Sequence, residues 1–196
     1  MTRQVLLIDQ GNTRIKWVGS VGGEIDASRL GHGTPVAFEK AMGELPWWPD
    51  DVVISSVAGA DQQLAIARYC RSLWGLEAKC MSSVSEQGGV RNAYRDPSML
   101  GVDRWLAIVG AVARYGKPLV IWDMGTASTL DAVDSSGRHL GGMIYPGPAT
   151  MLRSLKKDTR LNVPEDFEDT GIISWVGAGQ NTDECILKGV LAAQIG

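Results

Sequence analysis

The chain is poor in cysteine, and no two cysteines lie close together. Cys70, Cys80 and Cys185 form no C-x-x-C pair. An odd, sparse set of this kind reads as reduced thiols, not as a disulfide framework. His32 and His139 stand alone, without the partner spacing of a zinc centre or a catalytic triad, and both read as structural or solvent-facing. No apolar stretch approaches the length that a bilayer requires. The opening residues, MTRQVLLIDQ, carry too short an apolar run for a signal peptide. The 19 lysines and arginines are scattered and the net charge is −3, which argues against a dedicated nucleic-acid surface but leaves room for a small anionic substrate held by a few placed cations. A G-x-x-x-x-G-K-[ST] segment is also missing, so the chain has no P-loop. The expectation from these absences is a cytoplasmic protein that engages neither membrane nor nucleic acid.

What is present is an ordinary globular composition. The 196 residues are 44% hydrophobic and 21% charged, enough for one large domain or two small ones with a buried core. Residues 4–9, 13–20 and 24–31 read as strands, 34–42 as a short helix and 51–57 as a β-branched strand. Asp61 is placed to cap a helix that carries Ile66, Tyr69, Cys70 and Leu73 on one face. LEAKCM reads as another strand, and a long loop follows, SEQGGVRNAYRDPSM. The next helix runs to Tyr115, with Leu106, Val109, Gly110 and Ala113 on one face, and Gly116 and Pro118 stop it.

The pattern then restarts. LVIWDMGTASTLDAV (119–133) repeats the plan of VLLIDQGNTRIKWV (5–18): a strand, an acid, one residue, a glycine, small polar residues, a second strand. Asp9 matches Asp123 and Gly11 matches Gly125. A third strand at 138–145 and a helix at 148–157 continue the echo, and a last helix is expected from Thr182 to Gln194. One supersecondary plan used twice implies two halves, 1–117 and 118–196, with a ligand cleft between them. The second half lacks the counterparts of two strands and a helix, so it reads as incomplete.

Taken alone, D-x-G-N-T supports two readings. It is a hairpin turn, since Asn and Gly favour turns. It is equally a phosphate-binding hairpin, in which glycine admits the anion, N–H and hydroxyl groups donate to it, and an acid holds the accompanying metal. The echo favours the second. In LGVDRW (100–105), Asp103 either lies near a helix start, where an acid is unremarked, or lies inside a helix that begins at Asp96-Pro97. An acid able to take a hydroxyl proton beside Arg104, which can grip a carboxylate, suits phosphoryl transfer to an acid-bearing alcohol. GGMIYPGPATMLRSL brings main-chain N–H groups to a ligand or is an ordinary strand-to-helix turn. In GAGQNTDEC the third glycine of a dinucleotide fingerprint is absent, and Thr182 reads as a helix cap. Trp47-Trp48, between prolines, are candidates for exposed oligomer contacts.

The set DQGNTRIK, GVDRW, DMGTASTLD, GGMIYPG and NTDECILKG, in this order, resembles type III pantothenate kinase along essentially the whole chain. The resemblance implies an α/β fold of the acetate kinase, Hsp70 and actin superfamily, with two ribonuclease-H-like halves and ATP between them. It implies phosphorylation of pantothenate to 4′-phosphopantothenate, the first step of coenzyme A synthesis. By position, Asp9, Gln10, Gly11, Asn12, Thr13, Arg14, Ile15 and Lys16 would form the first phosphate loop, and Thr126 would touch ATP. Asp103 would be the general base. Tyr94, Gly101, Val102, Asp103, Arg104 and Thr182 would bind pantothenate. Asp123 would bind a monovalent cation, potassium or ammonium, used alongside the Mg2+ that comes with ATP. Relatives in this family are homodimers that build the pantothenate site across the interface. The same family includes the Bvg accessory factor group, so a catalytically silent regulatory relative is the competing reading; the intact Asp9, Asp103 and Asp123 favour the enzyme.

Overall fold

Apolar alternation in the first strand sets the first layer. In β1 (Gln4–Gln10) Leu6, Ile8 and Gln10 are buried while Asp9 lies on the opposite face and is only partly covered. The chain is seen as a computed structural model that describes residues 2–12, 14–164 and 177–195. The fold is mixed α/β. It divides into one unit of residues 1–88 and 94–110 and another of 89–93 and 111–196.

In the first unit β1, β2 (Ile15–Val21) and β3 (Glu24–Gly33) form an antiparallel meander, and β4 (Asp51–Ser56) and β5 (Lys79–Cys80) extend it in parallel. The strand order is β3-β2-β1-β4-β5. Helices α1 (Pro35–Gly43) and α2 (Ala60–Trp74) supply the crossovers that parallel pairing needs. Their Phe38, Met42, Ile66 and Cys70 pack with Leu6, Ile8, Ile15, Trp17, Val52 and Ile54 of the sheet in one core cluster. Edge-to-face contacts run from Trp17 to Phe38 at 5.5 Å and from Phe38 to Tyr69 at 6.4 Å. Gly31 is required for this packing, because a Cβ there would overlap the Trp17 indole.

Several local expectations shift. Thr34 precedes its helix as the cap, its hydroxyl accepting from the Ala37 N–H. Asp61 lies in the first turn of α2, and the cap position is taken by Gly59. Of LEAKCM only Lys79–Cys80 is strand. The expected long loop contains short strands β6 (Glu86–Gln87) and β7 (Val90–Arg91) and a 3-10 turn at Pro97–Met99, capped by Asp96 through its bond from the Ser98 N–H. Helix α3 (Val102–Tyr115) therefore starts after that turn, with Asp103 in its first turn. Its buried stripe is Trp105, Ile108 and Val112, while Gly110 and Ala113 of the expected face are exposed. Trp105 explains the phase: its ring is fully buried and its Nε1 donates to Gln87 Oε1 at 3.1 Å.

The second unit carries β8 (Leu119–Met124), β9 (Ala127–Val133) and β10 (His139–Pro146) as an antiparallel sheet ordered β10-β9-β8. Helices α4 (Pro148–Asp158) and α5 (Thr182–Ile195) follow, with Leu152, Ile186, Leu187 and Val190 in a shared cluster. The cap of α5 is Asn181, not Thr182. Asn181 Oδ1 accepts from the Glu184 N–H at 2.9 Å, and Glu184 reaches back to Asn181 Nδ2 and the Gln180 N–H, a reciprocal capping arrangement. His139 is fully buried against Asp131, with Nε2 and Oδ1 2.9 Å apart. Trp48 is exposed, whereas Trp47 is partly buried and lies under the Arg29 guanidinium at 4.4 Å. Among the described residues no helix is long and apolar enough to cross a membrane.

Candidate active site

The two D-x-G turns are alike in strand, acid and glycine, and the second closes one residue sooner than the first. In the first, Asp9 pairs with Lys16 across β1 and β2, and the turn closes with the Gly11 N–H donating to Arg14 C=O at 2.9 Å. In the second, Asp123 pairs with Thr129 across β8 and β9, and the Gly125 N–H donates to Ala127 C=O at 3.0 Å. In each case the acid stands two residues before the glycine, at the end of a strand. The sequence echo between 5–18 and 119–133 is therefore an echo in hydrogen-bonded structure as well.

The first turn exposes Asn12, Arg14 and Lys16. Within the expected phosphate loop 9–16, the side chains of Gln10 and Ile15 are turned away from these exposed groups. Ile15 is in the core, and Gln10 is buried with its Oε1 accepting from Ser56 Oγ at 2.9 Å. Period-two alternation forces this, since both side chains share the face of Leu6 and Ile8, where with Asn12, Phe38 and Tyr69 they line a cavity. Thr13 lies outside the described residues. On the opposite face a cavity of about 240 Å³ is lined by Leu7, Asp9, Lys16, Val53, Ser55 and Leu106, among others.

Leu106 belongs to α3, one turn beyond Asp103, and residues at this spacing share a helix face. The Asp103 carboxylate is turned back over its own helix start. Its Oδ1 accepts from the Arg104 N–H at 2.7 Å, and a Cβ on Gly101 would come within 2.7 Å of that same oxygen. Gly101 thus clears the space that the acid occupies. Arg104 is 8% exposed, and its Nη1 donates to the Tyr94 hydroxyl at 3.2 Å. A buried guanidinium braced by a phenol is preorganised to take a carboxylate, because its fork has little freedom left to lose. Tyr94, Gly101, Val102, Asp103 and Arg104 are brought together here; Val102 is buried beside them in sequence and contributes packing.

In the second unit Asp123 and Thr126 are exposed. The Thr126 carbonyl accepts from the Gly147 N–H at 3.1 Å and from Thr150 Oγ1 at 2.6 Å. Gly147 packs so closely on the turn that a Cβ would overlap the Gly125 carbonyl. The start of α4 thus clamps the second turn, a role for Gly147 and Thr150 that a glycine-rich strand end only hinted at. Thr182 is exposed in the first turn of α5. Among the described residues no group of three or more His, Cys, Asp or Glu forms a metal cage. Single carboxylates such as Asp9 and Asp123 suit cations that arrive with water and phosphate oxygens as their other ligands.

The comparisons with known proteins agree with each other. The type III pantothenate kinase family model matches residues 5–196. The type III pantothenate kinases of Herminiimonas arsenicoxydans and Aromatoleum aromaticum are each 38% identical to this chain, over 200 and 195 residues, covering 98% of it and 76% of the relative. A solved structure from Campylobacter jejuni, described as a Baf family transcriptional activator, superposes with a TM-score of 0.59 at 18% identity, covering 96% of this chain and 74% of that one; at that identity it speaks for the fold alone.

Proposed function

We infer that this chain, which belongs to the type III pantothenate kinase family, transfers the terminal phosphoryl group of ATP to pantothenate, giving 4′-phosphopantothenate and ADP in coenzyme A biosynthesis. The observation that carries this is the family match along residues 5–196. The site's construction supports it.

In the proposed mechanism the 4′-hydroxyl oxygen of pantothenate attacks the γ-phosphorus. Its proton passes to the Asp103 carboxylate as the bond from the γ-phosphorus to the bridging oxygen breaks and ADP leaves. Arg104, with Tyr94 behind it, takes the pantothenate carboxylate, and Gly101 and Thr182 complete the binding of that substrate. The exposed side chains of Asn12, Arg14 and Lys16 on the first turn would cradle the phosphates, and Thr126 is the proposed ATP contact of the second turn. Asp9 would hold Mg2+, which offsets phosphate charge during transfer. Asp123 would hold the monovalent cation, potassium or ammonium. We further propose a cytoplasmic homodimer whose partner subunit completes the pantothenate site, and a pair of ribonuclease-H-like halves repeating the D-x-G hairpin. The presence of Asp9, Asp103 and Asp123 together supports turnover over a purely regulatory role.

The test is a coupled assay of ADP release, with and without pantothenate and with and without potassium, with phosphopantothenate identified directly. The expected result is product that depends on pantothenate and rises with potassium. Absence of phosphopantothenate from a folded protein supplied with ATP, Mg2+ and potassium would refute the assignment.

A further inference from the structure

We propose that Ser55 is a positioning residue for the divalent cation that accompanies the nucleotide, its hydroxyl holding a metal-bound water against the Asp9 carboxylate. This rests on the reading that the Asp9 turn takes ATP with Mg2+.

Among the described residues, Ser55 Oγ is the buried side-chain polar atom left without a hydrogen-bond partner. The residue is 8% exposed. Leaving such a hydroxyl unsatisfied costs about 1–3 kcal/mol, so a strand that keeps it either tolerates a defect or meets it in another state. Its neighbour makes the contrast plain: Ser56 Oγ donates to Gln10 Oε1 and accepts from the Ala58 N–H.

The position of Ser55 points to the occupant. Asp9 and Ser55 are register partners across the parallel β1–β4 pair, and Ile8 and Ile54, the pair before them, both enter the core. Asp9 and Ser55 therefore emerge side by side on the opposite face, and both line the 240 Å³ cavity. Leu7, Val53 and Leu106 of that cavity carry no polar side-chain group, and Lys16, which also lines it, carries an ammonium that donates but cannot accept from a metal-bound water. A magnesium ion keeps several waters when it binds through one or two carboxylates, and each water is a donor in need of an acceptor. A serine hydroxyl accepts from such a water with a lone pair and gives its own proton to a carboxylate oxygen. Outer-shell partners of this kind orient the ligand carboxylate and tune the affinity of the metal.

The experiment measures ADP binding to the full chain by calorimetry across a Mg2+ titration, for the wild type, Ser55→Ala and Ser55→Thr. Ser55→Ala is expected to raise the Mg2+ midpoint about tenfold, the lower end of outer-shell effects, with metal-free ADP affinity unchanged and the unliganded melting temperature equal or higher. Ser55→Thr keeps the hydroxyl, has the cavity for its methyl group, and is expected to stay within threefold of the wild type. A Ser55→Ala midpoint within twofold of the wild type overturns the proposal. Equal loss of ADP affinity with and without Mg2+ overturns it too, by showing a structural role. A wild type that fails to bind ADP with Mg2+ overturns the reading of the Asp9 turn itself, so the two failures are told apart by the wild-type trace.

Discussion

Replacing Gly147 by alanine puts one methyl group where the second turn already stands. The backbone is not the obstacle, since Gly147 has φ −70° and ψ 166°, a conformation open to any residue. The obstacle is steric. The new Cβ would overlap the Gly125 carbonyl and lie 3.1 Å from the Thr126 oxygen, so the turn must retreat by roughly 1 Å to restore van der Waals contact. Overpacking of this type costs about 1–3 kcal/mol, and alanine is a poorer helix cap than glycine by a few tenths to about 1 kcal/mol. The larger effect is on function, because a misplacement of about 1 Å in a positioning element can cost about 100-fold in rate. The assay pairs thermal melting with ADP binding and kcat. We expect a lower melting temperature, ADP affinity down at least tenfold and kcat down by about 100-fold. Thr150→Val is the graded companion. It removes the hydroxyl bond to the Thr126 carbonyl but leaves the bond from the Gly147 N–H, for a loss of about 1 kcal/mol. Nucleotide affinity and kcat within twofold of the wild type in Gly147→Ala, at whatever stability, would refute the clamp.

Asp103→Asn is expected to lower kcat by about 10²–10⁴-fold while pantothenate affinity, read by calorimetry, stays within a few-fold; normal turnover would remove Asp103 from the base role. Arg104→Lys keeps the charge but loses the fork braced by Tyr94, and is expected to raise KM for pantothenate more than it lowers kcat. Burial pushes the Cys70 thiol up to about 12 from an ordinary value near 9. The folded chain then holds a proton that the unfolded chain has released, so stability is full below about pH 9 and falls as pH rises from there toward 12. Cys70→Ala should flatten this alkaline slope in denaturant titrations, and in the native protein a thiol reagent should label Cys80 and Cys185, both exposed, well before Cys70.

The D-x-G echo was legible because it rests on local rules. A strand, an acid and a glycine at fixed offsets constrain a hairpin whatever surrounds it, and Asp9 and Asp123 reached equivalent register positions. The phase of α3 was not legible. Leu106 and Val109 are as apolar as Ile108 and Val112, and Trp105, fully buried with its Nε1 donating to Gln87, marks the buried face through a contact with no local signature. The cap of α5 turned on one residue for a related reason. Asn181 and Thr182 both cap well, and Glu184 selects the residue three before it. The motif runs as a continuous string, but a strand presents alternate residues to opposite faces, so the burial of Gln10 and Ile15 could be read only once the strand phase was known. Ser55 carried no signal at all. A serine in a β-branched run is unremarkable until its neighbours are known to leave it without a partner.

The two turns also differ in one respect that bears on the ions. Asp9 faces a lysine across its hairpin, and Asp123, at the same place in the second copy, faces Thr129. The first copy thus carries its own counter-charge on the neighbouring strand, fixed in the chain and present at every ionic strength. The second leaves its acid opposite a hydroxyl. On the proposed reading, a monovalent cation at Asp123 would supply in the second copy the positive charge that Lys16 places opposite Asp9 in the first.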